Sequence, residues 1–288
     1  MKIGIIGVGF VGGATYQVLK TKHQVFPYDK YKKPYNTAEK LKSLAEESEV
    51  VFICVPTPMK PSGEIDYSAI HNSLTALKQA VEQVGRPAQD ILVVIRSTAV
   101  SGTTDKLAKQ YPFRFAFNPE FLREKTALKD TKNTDRIVIG TADAKSKKQL
   151  TAVYKSIFPK AKYIFVNRQT AEMVKYAANV MLASQISLAN EIYNICQAVK
   201  VDYETVKNII LLDSRIGRNI TVPGWDGDFG FGKKCFPKDL NALIYLAREH
   251  GYSPHLLEEV WRLNQRVRKN QDWLDIPGAT SGNQNFSN

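Results

Sequence analysis

The first dozen residues limit the possible fold more than any other stretch. Lys2-Ile3-Gly4-Ile5-Ile6 is a short apolar run of strand type, and Gly7-Val8-Gly9-Phe10-Val11-Gly12 carries it into a helical segment reaching Lys20. A G-x-G-x-x-G pattern is weak alone, but between a first strand and a first helix it has the setting its chemistry requires. The glycines allow a tight turn, the approach of a pyrophosphate, and close helix–strand packing. Gly7, Gly9, Phe10, Val11 and Gly12 are therefore candidate dinucleotide contacts. A second strand near Gln24 to Tyr28 ends at Asp29, roughly 20 residues on, where a carboxylate accepts a ribose 2′-hydroxyl. Asp29 favours NAD over NADP, because a 2′-phosphate would meet negative charge, and Lys30 and Lys32 weaken that preference without reversing it. Pro27 removes a ladder hydrogen bond, which predicts a second strand that kinks or ends early.

The same pattern recurs downstream. Val50 to Val55 is a continuous apolar strand closed by Pro56-Thr57-Pro58; Asp90 to Ile95 ends in Arg96-Ser97-Thr98; Phe113 to Phe117 ends in Asn118-Pro119-Glu120-Phe121-Leu122-Arg123-Glu124. Helices are expected over Tyr67 to Gln83, Thr103 to Gln110 and Ala144 to Phe158, with further strands at Arg136 to Gly140 and Lys162 to Phe165. Near-continuous apolar strands alternating with helices predict an α/β fold, a Rossmann-type doubly wound parallel sheet. Ligands of such sheets sit off the carboxyl ends of the strands, which singles out Val55, Pro56, Thr57, Ser97, Thr98 and the segment from Asn118 to Glu124.

An all-helical central domain is expected next. Gln169 to about Lys200 is rich in Ala, Leu, Ile, Met and Val, which predicts a helix buried in a dimer core or a domain junction. Lys175 and Asn179 stand four apart on one of its faces; burying both demands partners, and a buried lysine is a group whose pKa a site can tune. A helix at Tyr203 to Leu212 leads to Asp213-Ser214-Arg215-Ile216-Gly217. The stretch Gly227-Asp-Phe-Gly-Phe-Gly-Lys-Lys-Cys235-Phe-Pro-Lys-Asp239 follows. Its glycines make a loop that something approaches closely, and Pro237 suits the first turn of a helix running toward His250. A thiol at a helix N-terminus beside Lys233, Lys234 and Lys238 loses its proton easily, although most lone cysteines are small buried residues of ordinary turns. A last helix covers Pro254 to Lys269. Beyond Asp275, Pro, Gly, Ser and Asn dominate, so a frayed tail is expected. The domains expected are residues 1–167, residues 168–270 and a tail over residues 271–288.

With 288 residues and a formal net charge of +12, a nucleic-acid partner has to be weighed. The lysines are dispersed and no aromatic residues interleave with a basic stripe, so a solvated lysine-rich surface is expected instead, one that also attracts anionic nucleotides. Apolar stretches are broken by Lys175, Asn179 and Gln185, which argues against a membrane span. Three scattered cysteines suit a reducing compartment, and the protein is expected to be cytoplasmic. No histidine falls in a motif and no Cys/His/Asp spacing suggests a metal.

In this order the motifs resemble the UDP-glucose/GDP-mannose dehydrogenase family over residues 1 to about 270, most closely its UDP-glucose branch. They are the N-terminal G-x-G-x-x-G, Val55-Pro-Thr-Pro, Ser97-Thr98, Asn118-Pro-Glu-Phe-Leu-Arg-Glu124, Lys175 with Asn179, Asp213-x-Arg-Ile-Gly217 and Gly230-Phe-Gly-x-x-Cys-Phe-Pro-Lys-Asp239. The resemblance implies NAD as cofactor, a UDP-sugar substrate and a homodimer formed through residues 169–200. It also implies a four-electron oxidation of the sugar C6 alcohol to a carboxylate. Cys235 is then the nucleophile, Lys175, Asn179 and Asp239 serve the first hydride transfer, Glu124 is the base for thioester hydrolysis, and Thr98 and Glu120 order water and substrate. Phe121, Leu122, Arg123, Phe229, Gly232 and Arg215 are implied substrate contacts, Arg215 across the dimer interface. Two departures stand out: Lys233 replaces a usual glycine, which demands strained backbone if φ is positive there, and no counterpart of the family's third, nucleotide-binding domain is expected in this chain. Three outcomes stay open: an active nucleotide-sugar 6-dehydrogenase, with GDP-mannose or another sugar nucleotide as alternative substrate; an NAD-binding remnant with little turnover; or a simple two-electron hydroxyacid dehydrogenase.

Overall fold

The structure, a computed structural model, describes residues 1–281. It divides into two units, one comprising Met1–Thr57 with Tyr67–Lys175, the other Pro58–Asp66 with the chain from Tyr176 onward.

The first unit is built on seven strands: β1 (Lys2–Ile6), β2 (Gln24–Tyr28), β3 (Val50–Ile53), β4 (Leu92–Ile95), β5 (Arg114–Phe117), β6 (Arg136–Thr141) and β7 (Lys162–Val166). They lie in the order β2-β1-β3-β4-β5-β6-β7. The connecting helices are α1 (Phe10–Leu19), α2 (Ala38–Glu47), α3 (Ser68–Gln83), α4 (Thr103–Gln110), α5 (Ala127–Lys132) and α6 (Ala144–Lys155). Alternate residues of the inner strands enter different cores: Val51, Ile53, Val93, Ile95, Phe115 and Phe117 on one face, Val50, Phe52, Leu92, Val94 and Ala116 on the other. Because side chains alternate across a strand, burial of both faces is what turns these strands into unbroken apolar runs.

Two sequence expectations need correction. Pro27 neither kinks nor shortens β2, which pairs in register with β1 through Ile5↔Pro27 and Ile6↔Tyr28. β2 is an edge strand, where a missing N–H is tolerated. The sheet is also not wholly parallel, since β6 joins β5 antiparallel, with Ala116↔Thr141 and Phe117↔Gly140. Between the two strands the chain forms only a 3-10 turn and the six-residue α5 in place of a long crossover helix, and the next strand starts beyond the end of β5 and runs back. Asn118 secures the arrangement by donating from Nδ2 to the Val138 carbonyl at 2.7 Å.

The second unit is helical. The long helix α7 (Arg168–Ala198) contributes to it from Tyr176 on, followed by α8 (Tyr203–Ile210), α9 (Cys235–Glu249) and α10 (His255–Val267). One core gathers Val180, Ala183, Phe231, Leu240, Ile244 and Val260, another Ala189, Cys196, Tyr203, Ile220 and Val222. Within the single chain, Met181, Leu188 and Ile195 of α7 are 64 %, 62 % and 55 % exposed, so the chain itself does not cover the face that was expected to lie in a dimer core or a domain junction. The frayed end is also corrected in part: Trp273 is buried against Trp261 at 5.3 Å, and Met59 donates its N–H to the Ala279 carbonyl at 2.9 Å. The rest of the expected tail, residues 282–288, lies outside the described residues.

Candidate active site

The glycine loop after β1 shows which of its glycines the protein itself needs. Gly7 has φ +91°, and a Cβ there would stand 2.7 Å from the Cys54 carbonyl oxygen; a Cβ on Gly12 would stand 1.8 Å from the Gly7 carbonyl oxygen. At Gly9 a Cβ would meet nothing within 4 Å. Gly9 caps α1 without a side-chain hydrogen bond, and the first turn of α1 holds no acidic residue, so its amides face outward with the positive end of the helix dipole. The contrast is α4, whose N-terminus is filled by Glu172 of α7. That carboxylate accepts from Gly102 N and Thr104 N, both at 2.7 Å, and from Thr104 Oγ1 at 2.6 Å, and burial pushes its pKa up to about 7.

Asp29 closes the loop from the side. Its Oδ2 accepts from Val8 N at 2.7 Å and its Oδ1 from Tyr31 N and Lys32 N at 2.9 and 3.0 Å, while Lys32 Nζ donates to the Val8 carbonyl at 3.1 Å. Ser97 uses its hydroxyl to hold the Val55 carbonyl at 2.7 Å, fixing the ends of β3 and β4 against each other. Phe10 and Pro56 are exposed, Val11, Val55 and Thr98 half-buried, and Thr57 buried. Uncapped helix amides, room at Gly9 and a carboxylate at the end of β2 suit a dinucleotide pyrophosphate and its ribose, and the residues present fit NAD.

Beyond β5, Asn118 accepts from Tyr154 Oη at 2.5 Å and from Arg96, which makes it a structural brace. Glu120 and Lys175 meet as a buried ion pair, Nζ to Oε1 2.9 Å, with side chains 7 % and 5 % exposed; Glu120 Oε2 also accepts from Leu122 N at 2.6 Å. Removing either partner would strand a charge away from water. Arg123 donates to Asp130 through Nε at 3.1 Å and Nη2 at 2.7 Å, which holds the Asp130 carboxyl well below the usual range. The Arg136 guanidinium lies over the Phe121 ring at 4.7 Å. Glu124 opens a single 3-10 turn, Glu124–Thr126, and its side chain lies outside the described residues.

In the second unit Cys235 is exposed and forms the first residue of α9. Pro237 sits within the first turn, where no intrahelical N–H is required. One turn on, Asp239 is 1 % exposed and takes Asn179 Nδ2 on Oδ2 at 2.5 Å and Lys238 Nζ on Oδ1 at 2.6 Å. Lys238 also lies over the Tyr176 ring at 5.9 Å. The loop ahead of the cysteine is clamped by side chains. Asn264 accepts from Phe231 N at 2.7 Å and donates to Phe231 O at 3.0 Å, Asn190 accepts from Gly230 N at 3.1 Å, and Asp272 accepts from Lys233 N at 2.9 Å. A Cβ on Gly232 would come within 2.3 Å of Arg268. Lys233 has φ +66°, so the strain expected where a glycine is usual is present. The Phe229 ring rests on Tyr193 at 5.5 Å. Arg215 is 87 % exposed and its guanidinium pairs with Asp213 at 2.5 Å.

Sequence reasoning singled out Glu120, Lys175, Asn179, Cys235 and Asp239, and the structure pairs Glu120 with Lys175 and Asn179 with Asp239. Phe121 and Arg123 are engaged by Arg136 and Asp130. The sequence reading did not select Asn264, Arg268 or Asp272, and it placed Lys238 beside the thiol, whereas its ammonium bonds to Asp239. Among the described residues there is no cluster of His, Cys, Asp or Glu able to hold a metal, and no helix long and apolar enough to cross a membrane.

The sheet and its open glycine loop define an NAD-binding dehydrogenase fold. Comparison with known proteins narrows this. Residues 30–158 match the NAD binding domain and residues 169–266 the central domain of the UDP-glucose/GDP-mannose dehydrogenase family. UDP-glucose 6-dehydrogenase TuaD of Bacillus subtilis is 37 % identical over 251 residues, 83 % of this chain and 52 % of that protein. The structure of a UDP-glucose dehydrogenase from Pyrobaculum islandicum superposes with a TM-score of 0.81 at 31 % identity, covering 92 % of this chain and 68 % of that one. A GDP-mannose dehydrogenase of Pseudomonas aeruginosa gives a TM-score of 0.65 at 29 % identity, over 93 % and 69 % of the two chains. This chain belongs to the UDP-glucose/GDP-mannose dehydrogenase family, and it spans about half the length of the Bacillus relative.

Proposed function

We propose that this chain oxidises the C6 alcohol of a nucleotide sugar, UDP-glucose first among candidates, to a carboxylate in two NAD-dependent steps. The observation that carries this function is Cys235, exposed at the start of α9 on a loop clamped from behind, with Asp239 one turn further on and bonded to Asn179. NAD, when bound, supplies the hydride acceptor; Gly7 to Gly12, Asp29, Val55 to Thr57 and Ser97 to Thr98 would hold it.

In the first step a water held by Asp239 takes the alcohol proton as the hydride leaves C6, while Lys175 and Asn179 donate hydrogen bonds to the developing oxyanion. In the second, the Cys235 thiolate adds to the aldehyde carbon and the oxygen takes up a proton, giving a thiohemiacetal. Loss of the second hydride and of the hydroxyl proton leaves a thioester. Water activated by Glu124 then cleaves the C–S bond, releasing the carboxylate and the thiol. Glu120 fixes Lys175 and, with Thr98, orders water and substrate. Phe121, Leu122, Arg123, Phe229 and Gly232 would line the sugar, and Arg215 would reach it from a second copy. Such a dimer is part of the proposal, supported by the exposed Met181, Leu188 and Ile195, which recur every seven residues on α7 as a coiled-coil seam does.

NADH formation with UDP-glucose tests the reaction. Two NADH per sugar, abolished by Cys235→Ser, is the expected result. Two-NADH turnover to the carboxylate that survives this substitution, or NAD binding without turnover, would overturn it, whereas a residual single hydride transfer to the aldehyde would not; GDP-mannose run in parallel reports the nucleotide preference.

A further inference from the structure

About two turns of helix separate the start of α7 at Arg168 from Lys175, and what anchors those turns decides where the buried ammonium stands. Ala171 is fully buried against β6, so close that a Cβ on Gly140 would lie 2.5 Å from its own. Ser101 Oγ donates to the Gln169 carbonyl at 3.2 Å, and Arg168 Nε donates to Asp105 Oδ1 at 2.5 Å. Glu172, fully buried, closes the N-terminus of α4 through Gly102 N, Thr104 N and Thr104 Oγ1. Asp105, held by Arg168, is the charged side chain of α4 that acts on it.

A helix N-terminus ordinarily takes its cap from the adjoining chain, as α2 does from Thr37 and α6 from Asp143. α4 does not. Gly102, at φ +92°, has no side chain to offer, and the acceptor for its N–H arrives from 70 residues away. Burying a carboxylate is costly, and a local serine or aspartate would satisfy the same kind of amide. What the remote cap adds is a tie between two segments. One is the loop from β4 to α4, which begins with Ser97 and Thr98; the other is α7, where Glu172 and Lys175, three apart, are neighbours on one side of the helix. Lys175 in turn meets Glu120, beyond β5, at 2.9 Å.

We propose that Glu172 is a positioning residue of the first hydride transfer, setting Lys175 against Glu120 and the Thr98 loop while touching neither substrate nor cofactor. The assignment rests on the reaction proposed above and adds to it a residue that acts only through Lys175.

The test compares the full chain with Glu172→Ala and with Glu172→Gln, which keeps the size and one acceptor oxygen. In NADH formation with UDP-glucose, Glu172→Ala is expected to lower kcat by about a hundredfold, the scale of a misplacement near 1 Å, and Glu172→Gln to recover about tenfold of that loss. KM for NAD and for UDP-glucose should stay unchanged in both. If the alanine variant does not fold, Glu172→Gln is compared with the parent chain directly. A second readout needs no turnover. In chain carrying isotope-labelled lysine, the Lys175 ammonium resonance, assigned by its loss in Lys175→Met, should exchange with water about tenfold faster in Glu172→Gln. An unchanged kcat, a loss that falls on KM, or unaltered ammonium exchange would each overturn the role. A parent chain that forms no NADH overturns the reaction instead, and ammonium exchange still reads how Lys175 is held.

Discussion

Two glycine-rich loops each feed a helix, and they are built in opposite ways. The loop before α1 is held by its own backbone and by Asp29, and at Gly9 it leaves room that no protein atom claims. The loop before α9 is gripped from behind by Asn190, Asn264, Arg268 and Asp272, and presents a cysteine as the first helical residue. An open loop suits a ligand that brings its own charge to the helix amides, whereas a clamped loop suits a side chain that must hold its position. Glycine content alone separates neither use.

Substitutions can break the comparison, and the largest effect falls on the first loop. Gly12→Ala would drive a Cβ into backbone at 1.8 Å, so a loss of about 4 kcal/mol or more, or failure to fold, is expected in denaturant unfolding. Asn264→Ala comes next. It leaves the N–H and C=O of Phe231 without their partner in a fully buried site, which should cost about 3 kcal/mol, measurable by urea titration.

Glu172 sharpens the contrast between a filled and an open helix end. Its pKa rises from 4.5 to about 7 on folding, so the folded protein holds the proton more tightly than the unfolded chain. The contribution of this one group to stability is therefore greatest below the ordinary carboxyl range and falls by up to about 3 kcal/mol as pH rises to about 7, a component of the slope that Glu172→Gln should remove from unfolding curves across that range. Gly9→Ala should leave stability nearly unchanged yet weaken NAD by about tenfold, or 1.4 kcal/mol, in calorimetric titration. The smallest effect is Lys233→Gly, expected to gain about 1 kcal/mol from relief of the left-handed backbone, less whatever the Asp272 ion pair contributes.

The strand–loop–helix of residues 2–19 was legible because periodicity and glycine spacing are local. So was Cys235, through its loop and Pro237. The direction of β6 was not, since it depends on how the connection after β5 folds rather than on any property of the strand. The clamp was hidden as well: Asn264 and Asp272 lie more than thirty residues from the backbone they hold, and nothing in the α10 pattern marks them. Glu120 and Lys175 were each visible as polar groups in demanding places, but their pairing needed coordinates.

The outer strands of the sheet carry one more consequence. β2 presents Pro27, and β7 holds Phe165 beneath the Lys147 ammonium at 4.0 Å with Lys162 at its start. A proline denies an incoming chain one of its donors, and a cation resting on the rim must be stripped of water before another strand can dock. Both rims thus resist edge-to-edge polymerisation, so a concentrated solution of this domain should stay free of cross-β fibres without help from its remaining surface.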